Sequence, residues 1–354
     1  MQKSEIIIAG DTPGVEFRLP VVTFPGTGAA APKTYMQAAL HAEELPGVAA
    51  LHFLIPMLEA AEKRGDILGA ITIVPKANPI GAGQYVNGAN EGRFDLGSRT
   101  NFNRDYPLIS GDERETLLDD LDDLLATDQL KHHLLHMASG ADLMLDLHCD
   151  DESQLYAYLH EVWWPEATDL AESMGLEAVL LSDGKSSAFE DAVTHAWEHG
   201  PLGSRKSWHE GRLSLTMEFR GLADVDPVLG RMDAEGLYAF LQRRGVVAGE
   251  PIRKESFEGA VAGLDYVQMV NAPVTGMVLF EREFGEVVDK GDHLATIVTK
   301  PGDATGDVKV TAPTEGTIVT RTTRRFVRRT DNLMKIASSE LSQAKRKKGG
   351  GLED

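Results

Sequence analysis

Apolar residues fall into two rhythms along the chain. In roughly the first 255 residues, short apolar or alternating runs give way to longer segments with apolar positions at helical spacing. "EIIIAG" and "VEFRLPVVTF" read as strands broken by Gly and Pro turns. "TYMQAAL" (34–40) is a strand that delivers His41 at its carboxyl end. Leu51, Leu54, Ile55 and Leu58 recur at helical spacing, so the segment from Glu44 to Gly65 predicts a helix. Pro46 suits its first turn, Lys63, Arg64 and Gly65 suit its end, and Pro56 predicts a kink. "GAITIVPKANP" (69–79) is the next strand, and a Gly- and Asn-rich loop follows from Ile80 to about Thr100. A second helix is predicted over roughly Glu113–Met137, then strands in "ADLMLDLHCDD", "EAVLLS" (177–182) and "RLSLTMEFRG" (212–221). This alternation predicts an α/β domain over 1–255, a mainly parallel or mixed sheet flanked by helices.

After about residue 255 the texture changes. "VNAPVTGMVLFEREFGEVVDKGDHLATI" (270–297) is echoed by "VTAPTEGTIVTRTTRRFVRRTDNLMKI" (310–336). Ala272-Pro273 aligns with Ala312-Pro313, and Gly276 with Gly316. A single repeat of about 40 residues is too short for a solenoid. It predicts a small pseudo-symmetric all-β sandwich over 256–338, similar to the biotinyl/lipoyl carrier fold. Lys300, in "IVTKPGD", lies near the hairpin that carries the cofactor lysine in such carriers. The residues that usually flank a biotin or lipoate lysine are absent, so Lys300 reads as a loop lysine. Residues 339–354, with "KRKKGGGLED", read as a disordered polar tail.

Composition narrows the function classes. At 354 residues the chain is long enough for about two domains. A net charge of −20, from 35 Lys+Arg against 55 Asp+Glu, argues against nucleic-acid or anionic-membrane binding. The single cysteine, Cys149, allows no internal disulfide and suits a reducing compartment. The start has no signal-peptide core and no stretch approaches a membrane span, so a cytoplasmic enzyme or binding protein is expected.

The candidate chemistry lies at strand ends. His41 and Glu44 are three apart at a strand-to-helix junction, able to reach one ion. A catalytic zinc needs a third protein ligand. In "LMLDLHCDD", Leu143, Leu145 and Leu147 point one way and Asp146, His148 and Asp150 the other. His148 therefore sits at the carboxyl end of a core strand and completes a His₂Glu set with His41 and Glu44, with Asp146 placed to orient a ligand. "RLSLTMEFRG" alternates as cleanly, and Glu218 ends its polar face near the same sheet edge. A carboxylate there would take a proton from water and pass it to a leaving amine. The loop "EGRFDLGSRTNFNRDYP" (91–107) adds Arg93, Arg99, Asn103 and Arg104. An arginine fork matches a carboxylate, so Asn103 and Arg104 would anchor one and a second arginine would stabilise an oxyanion.

Strand–H-x-x-E–helix, then N-x-N-R, then D-x-H, then a late strand Glu, in that order, resembles the succinylglutamate desuccinylase/aspartoacylase family of the zinc-carboxypeptidase superfamily. The resemblance covers about residues 20–335. It implies a zinc-carboxypeptidase-like fold with one zinc held by His41, Glu44 and His148, and Glu218 as general base and acid. It also implies substrate-carboxylate binding by Arg104 with Asn103, and Arg93 as the group that polarises the scissile carbonyl, with Arg99 as its competitor. The family's H-G-D-E reads His41-Ala42-Glu43-Glu44 here. The implied activity is deacylation of a small N-acyl amino acid. The alternatives are a carboxypeptidase acting on peptides, or a non-catalytic binding protein with a vestigial site. Should Glu218 not be the base, Glu43 or Asp150 is next in line. Whether the chain forms a homo-oligomer stays open.

Other histidines compete. "HAWEH", His195 to His199, has the inverted zincin pattern H-x-x-E-H at helical spacing. Choosing it would leave the ordered set unexplained, so a surface helix is the expectation. His132 and His136 in "KHHLLH" have no nearby base and read as a solvated helix face. Cys149 points to the opposite strand face from His148 and reads as a buried core thiol.

Overall fold

Apolar runs from both halves of the chain form one wide sheet. The computed structural model describes residues 1–200, 207–251, 256–342 and 352. The first strands are β1 (Gln2–Ala9), β2 (Glu16–Phe24), β3 (Thr34–Ala38) and β4 (Ile71–Val74), with β5 (Tyr85–Val86) and β6 (Ala89–Asn90) as a small hairpin in the long loop. Next come β7 (Leu143–Asp150), β8 (Glu152–Ser153), β9 (Leu155–His160), β10 (Ala178–Ser182), β11 (Leu213–Gly221) and β12 (Ala260–Gly263). The helices are α1 (Pro46–Arg64), α2 (Ala126–Ser139), α3 (Thr168–Met174), α4 (Phe189–Glu198) and α5 (Pro227–Arg243).

Nine strands run in the order β1-β2-β4-β3-β7-β11-β9-β10-β12. β4, β3, β7 and β11 are mutually parallel, while β11 meets β9 antiparallel, so the sheet is mixed. The central strands read as continuous apolar runs because both faces are covered: Leu143, Leu145 and Leu147 have no exposed surface, nor do Leu213, Leu215 and Met217.

The N-terminal helix starts at Pro46, ends on left-handed Gly65 and continues unbroken through Pro56. The second predicted helix starts later than the pattern suggests. Glu113–Thr116 and Leu121–Asp123 are 3-10 turns, and the α-helix begins only at Ala126. Asp119, Asp120, Asp122 and Asp123 put like charges at helix-neighbour spacing, and Asp120 takes a left-handed φ of 58° that breaks the run.

The expected domain boundary near residue 255 falls at residues 252–255, outside the described residues. Just beyond it, β12 still pairs in parallel with β10 of the large sheet. The remaining strands are β13 (Val267–Asn271), β14 (Gly276–Phe280), β15 (Val287–Val288), β16 (His293–Val298), β17 (Asp307–Thr311), β18 (Gly316–Arg321), β19 (Phe326–Val327) and β20 (Asn332–Ala337). They form two sheets, β13-β20-β18-β15 and β17-β16-β14-β19. Each strand of the first repeat and its echo in the second lie in opposite sheets, as β14 and β18 do, which is how a duplicated sequence closes a pseudo-two-fold core. Val270, Ile318 and Ile336 from one sheet meet Val278, Ile297 and Val310 from the other in one apolar cluster. Lys300 is exposed, in the turn after β16. Of the expected tail, 343–351 and 353–354 lie outside the described residues, and the Glu340 carbonyl accepts from Gln268 Nε2 at 2.8 Å.

Candidate metal centre

β3, β7 and β11 are neighbours in the sheet and end at the same edge. The chain leaves β3 through Ala39 at a φ of 55°, turns at His41 and enters α1 five residues later. Gly47 lets that helix start press on β7, for a Cβ there would lie 2.7 Å from Leu147 Cβ. His41 and Glu44 are thereby set against His148, and all three are 3% exposed.

The ligand atoms of His41, Glu44 and His148 lie within 4.8 Å of one another. His41 Nδ1 is 2.8 Å from Glu44 Oε1, and His148 Nδ1 is 2.8 Å from Glu44 Oε2. The far ring nitrogens are also engaged: His41 Nε2 is 2.9 Å from Asn101 Oδ1, and His148 Nε2 is 3.0 Å from Asp146 Oδ2. Asp146 in turn accepts from Gln37 Nε2 at 2.9 Å, and Gln37 accepts from the Tyr35 hydroxyl at 2.7 Å. Both imidazoles are thus fixed with Nδ1 toward one point, the arrangement a metal ligand needs. Burial works against charge on Glu44, yet the two histidines hold its carboxyl well below the usual range. Burial likewise disfavours a charged His148, but Asp146 and Glu44 raise it well above the ordinary imidazole value. Two imidazoles and one ionised carboxylate form a donor set that fits a zinc-sized dication, which would replace the proton on His148.

Arg93 lies at the same point. Its Nη1 is 3.1 Å from Glu44 Oε1 and 3.2 Å from His41 Nδ1, and the side chain is one-third exposed. Arg99 is exposed in a tight turn closed by its own N–H to the Asp95 carbonyl at 2.7 Å. Glu218 stands opposite His148 in the β7–β11 register. Its Oε2 is buried without a hydrogen-bond partner among the described residues, and burial, then the charge of Asp150, push the carboxyl well above its usual range. A β-bulge follows at once, with Phe219 and Arg220 of β11 set against the single residue Cys149 of β7. Glu43 also lies close by, raised to about 7 by burial, with its Oε2 against Gly92.

Asn103 and Arg104 occupy the neighbouring loop. Asn103 Oδ1 accepts the Phe189 N–H at 2.8 Å, so this side chain ties the loop to the start of α4. Arg104 is partly buried and donates to the Asn103 carbonyl at 2.8 Å. Asn101 is the residue that sequence reasoning passed over. It is the first Asn of N-x-N-R, and its Oδ1 also accepts the Asn103 N–H at 2.8 Å, so one side chain joins the loop turn to His41.

His195, on the last turn of α4, and His199, just after it, lie elsewhere, with rings stacked at 4.0 Å. His132 Nδ1 faces the Asp128 carbonyl at 2.7 Å. Cys149 is buried, and its N–H points to Glu44 Oε2 at 3.2 Å. Among the described residues, no helix is long and apolar enough to cross a membrane.

The geometry and the ordered motifs agree with what the chain is similar to. No curated protein matches it in sequence. Among solved structures, a succinylglutamate desuccinylase/aspartoacylase family protein from Shewanella amazonensis superposes with a TM-score of 0.82 at 25% identity, covering 96% of this chain and 99% of that one. The product-bound ectoine utilization protein EutE (DoeB) from Ruegeria pomeroyi shares the fold, with a TM-score of 0.70, 18% identity and 95% of each chain covered. The family model of the succinylglutamate desuccinylase/aspartoacylase catalytic domain matches residues 30–244, a span that takes in the β3, β7 and β11 strand ends and the loop between them. The chain belongs to the succinylglutamate desuccinylase/aspartoacylase family.

Proposed function

We propose that the protein is a zinc-dependent amidohydrolase that removes the acyl group from a small N-acyl amino acid or related carboxylate-bearing amide. The observation that carries this reading is the convergence of His41, Glu44 and His148 on one point, beside the Arg93 guanidinium and the buried Glu218 carboxylate. A zinc ion held by the three would supply a Lewis acid and an activated water. Glu218 takes the proton of the attacking water and returns it to the leaving amine, and its Oε2, without a hydrogen-bond partner among the described residues, is available for that proton. Arg93 faces the negative charge that develops on the carbonyl oxygen. Arg104, on a loop tied down through Asn101 and Asn103, pairs with the substrate carboxylate. The zinc-carboxypeptidase-like catalytic region, 1–255, is followed by a biotinyl/lipoyl-like sandwich, 256–338, that serves the site rather than a carried cofactor. A cytoplasmic site of action accords with the lone buried Cys149.

A hydrolysis screen tests this. N-acyl amino acids and short peptides are incubated with the purified chain, with and without a chelator. The proposal expects chelator-sensitive release of the amine from N-acyl amino acids. Hydrolysis confined to peptides would turn the assignment to a carboxypeptidase. No turnover and no bound zinc would leave a binding protein.

A further inference from the structure

The turn just after His148 is gripped by the C-terminal sheets at five successive residues. Asp150 Oδ2 lies 2.7 Å from Lys335 Nζ. Asp151 accepts from the Thr322 hydroxyl at 2.9 Å, and Glu152 pairs with Arg321 at 2.5 Å and Arg325 at 2.7 Å. Ser153 opposes Thr320 where β8 pairs with β18, and the Gln154 N–H donates to the Val319 carbonyl at 3.1 Å. The same turn holds the exit of β11: Ser153 Oγ donates to the Arg220 carbonyl at 2.9 Å, and Leu222 N–H to the Asp151 carbonyl at 3.2 Å.

Lys335 is the buried cation of this clamp, 2% exposed on β20. An ammonium taken out of water is costly, and an apolar residue would join two modules at least as well. A buried ion pair is directional, however. Its partner oxygen on Asp150 also accepts from the Tyr156 hydroxyl at 2.7 Å, and Tyr156 stands opposite Glu218 in the β9–β11 register. Asp150 is therefore held on one side by the C-terminal module and on the other by the strand beside Glu218.

We propose that Lys335 is a positioning residue of the active site, acting through Asp150 and Tyr156 to fix the strand ends that carry His148 and Glu218. The C-terminal module is then part of the site's geometry. The kinetic part of this inference rests on the hydrolase reading, whereas the metal-binding part does not. The full chain is loaded with cobalt(II), and wild type, Lys335→Met and Lys335→Arg are compared by visible ligand-field spectrum, by cobalt affinity in competition with a chelator, and by kcat and KM. Lys335→Met is expected to change the spectrum, weaken cobalt about 10-fold and lower kcat about 10-fold, with KM within about 2-fold. Lys335→Arg is expected to restore each to within about 3-fold. A folded Lys335→Met protein with wild-type spectrum and affinity overturns the proposal, even if its melting temperature falls. Should Lys335→Met not fold, the Arg321→Gln, Arg325→Gln double variant releases the same turn at Glu152. It is expected to weaken cobalt about 3-fold, and unchanged affinity and spectrum there overturn the proposal too. If wild type hydrolyses no substrate, the hydrolase reading fails while the spectrum and affinity still decide the role of Lys335.

Discussion

Two regions of the molecule carry histidines beside carboxylates, and they differ in how the ligand atoms are used. On α4, His195, Glu198 and His199 have ideal spacing on one turn, yet His195 Nδ1 faces the Ile109 carbonyl at 3.1 Å and His199 Nδ1 faces the His195 carbonyl at 3.0 Å. Glu198 and His199 are exposed. At the sheet edge, His41 comes from the turn after β3 and His148 from β7, and each turns its Nδ1 to the shared Glu44 while a side chain holds its other nitrogen. Spacing along one helix therefore creates a pattern, whereas converging strand ends with fixed rings create a donor set.

The largest effect sought is the one that would break this contrast. His41→Ala and His148→Ala should each remove bound zinc and all activity while the fold persists, since every protein ligand is needed and the large core lies elsewhere. His195→Ala should keep zinc and activity. Metal analysis of the three purified variants checks this, and zinc lost only from His195→Ala would reverse the assignment. Next in size is Glu218→Gln, which keeps shape but accepts no proton. Zinc should stay bound and kcat should fall by about 10²–10⁴-fold in single-substrate kinetics. A wild-type rate would make Glu43 or Asp150 the next base to test.

The two arginines of the loop sharpen the comparison further. Arg93→Ala should lower kcat about 10²-fold, the scale of losing one oxyanion partner, and Arg99→Ala should change it little. Arg104→Ala should instead raise KM by about 10–100-fold, most for substrates bearing the carboxylate, because a charged hydrogen bond made in the ground state is lost.

The smallest effect belongs to α4 itself. Burial, then the charge of Asp191, raise Glu190 from 4.5 to about 7 in the folded chain, against the opposing pull of Arg104. The folded state then binds the proton more tightly than the unfolded state does. The contribution of Glu190 to stability is highest below about 4.5 and declines as pH rises toward about 7. Glu190→Gln should flatten that decline in denaturant unfolding across the same pH range. An unchanged slope would show that Glu190 does not titrate there.

The sequence made some of these residues legible and hid others for physical reasons. His148 and Glu218 could be proposed because each lies near the end of a strand whose apolar and polar positions alternate in sequence, and His41 because H-x-x-E follows an apolar strand closely. The helix start at Ala126 was not, since leucines at helical spacing continue into the aspartate run where charge repulsion overrides them. Asn101 was missed because its loop has no period, and only the folded turn brings its side chain to His41. Lys335 had no local signal at all: a lysine in a strand looks solvent-facing until its partner from the other half of the chain is placed beside it.

The ion pair between Asp150 at the end of β7 and Lys335 on β20 also has a consequence in time. Asp150 and Lys335 are separated by 185 residues. At about 5–20 residues per second, roughly ten to forty seconds of synthesis pass between them. The three candidate ligands have left the ribosome well before the strand that secures their turn, so a nascent chain holds every donor of the metal site for that interval without the clamp that sets their spacing.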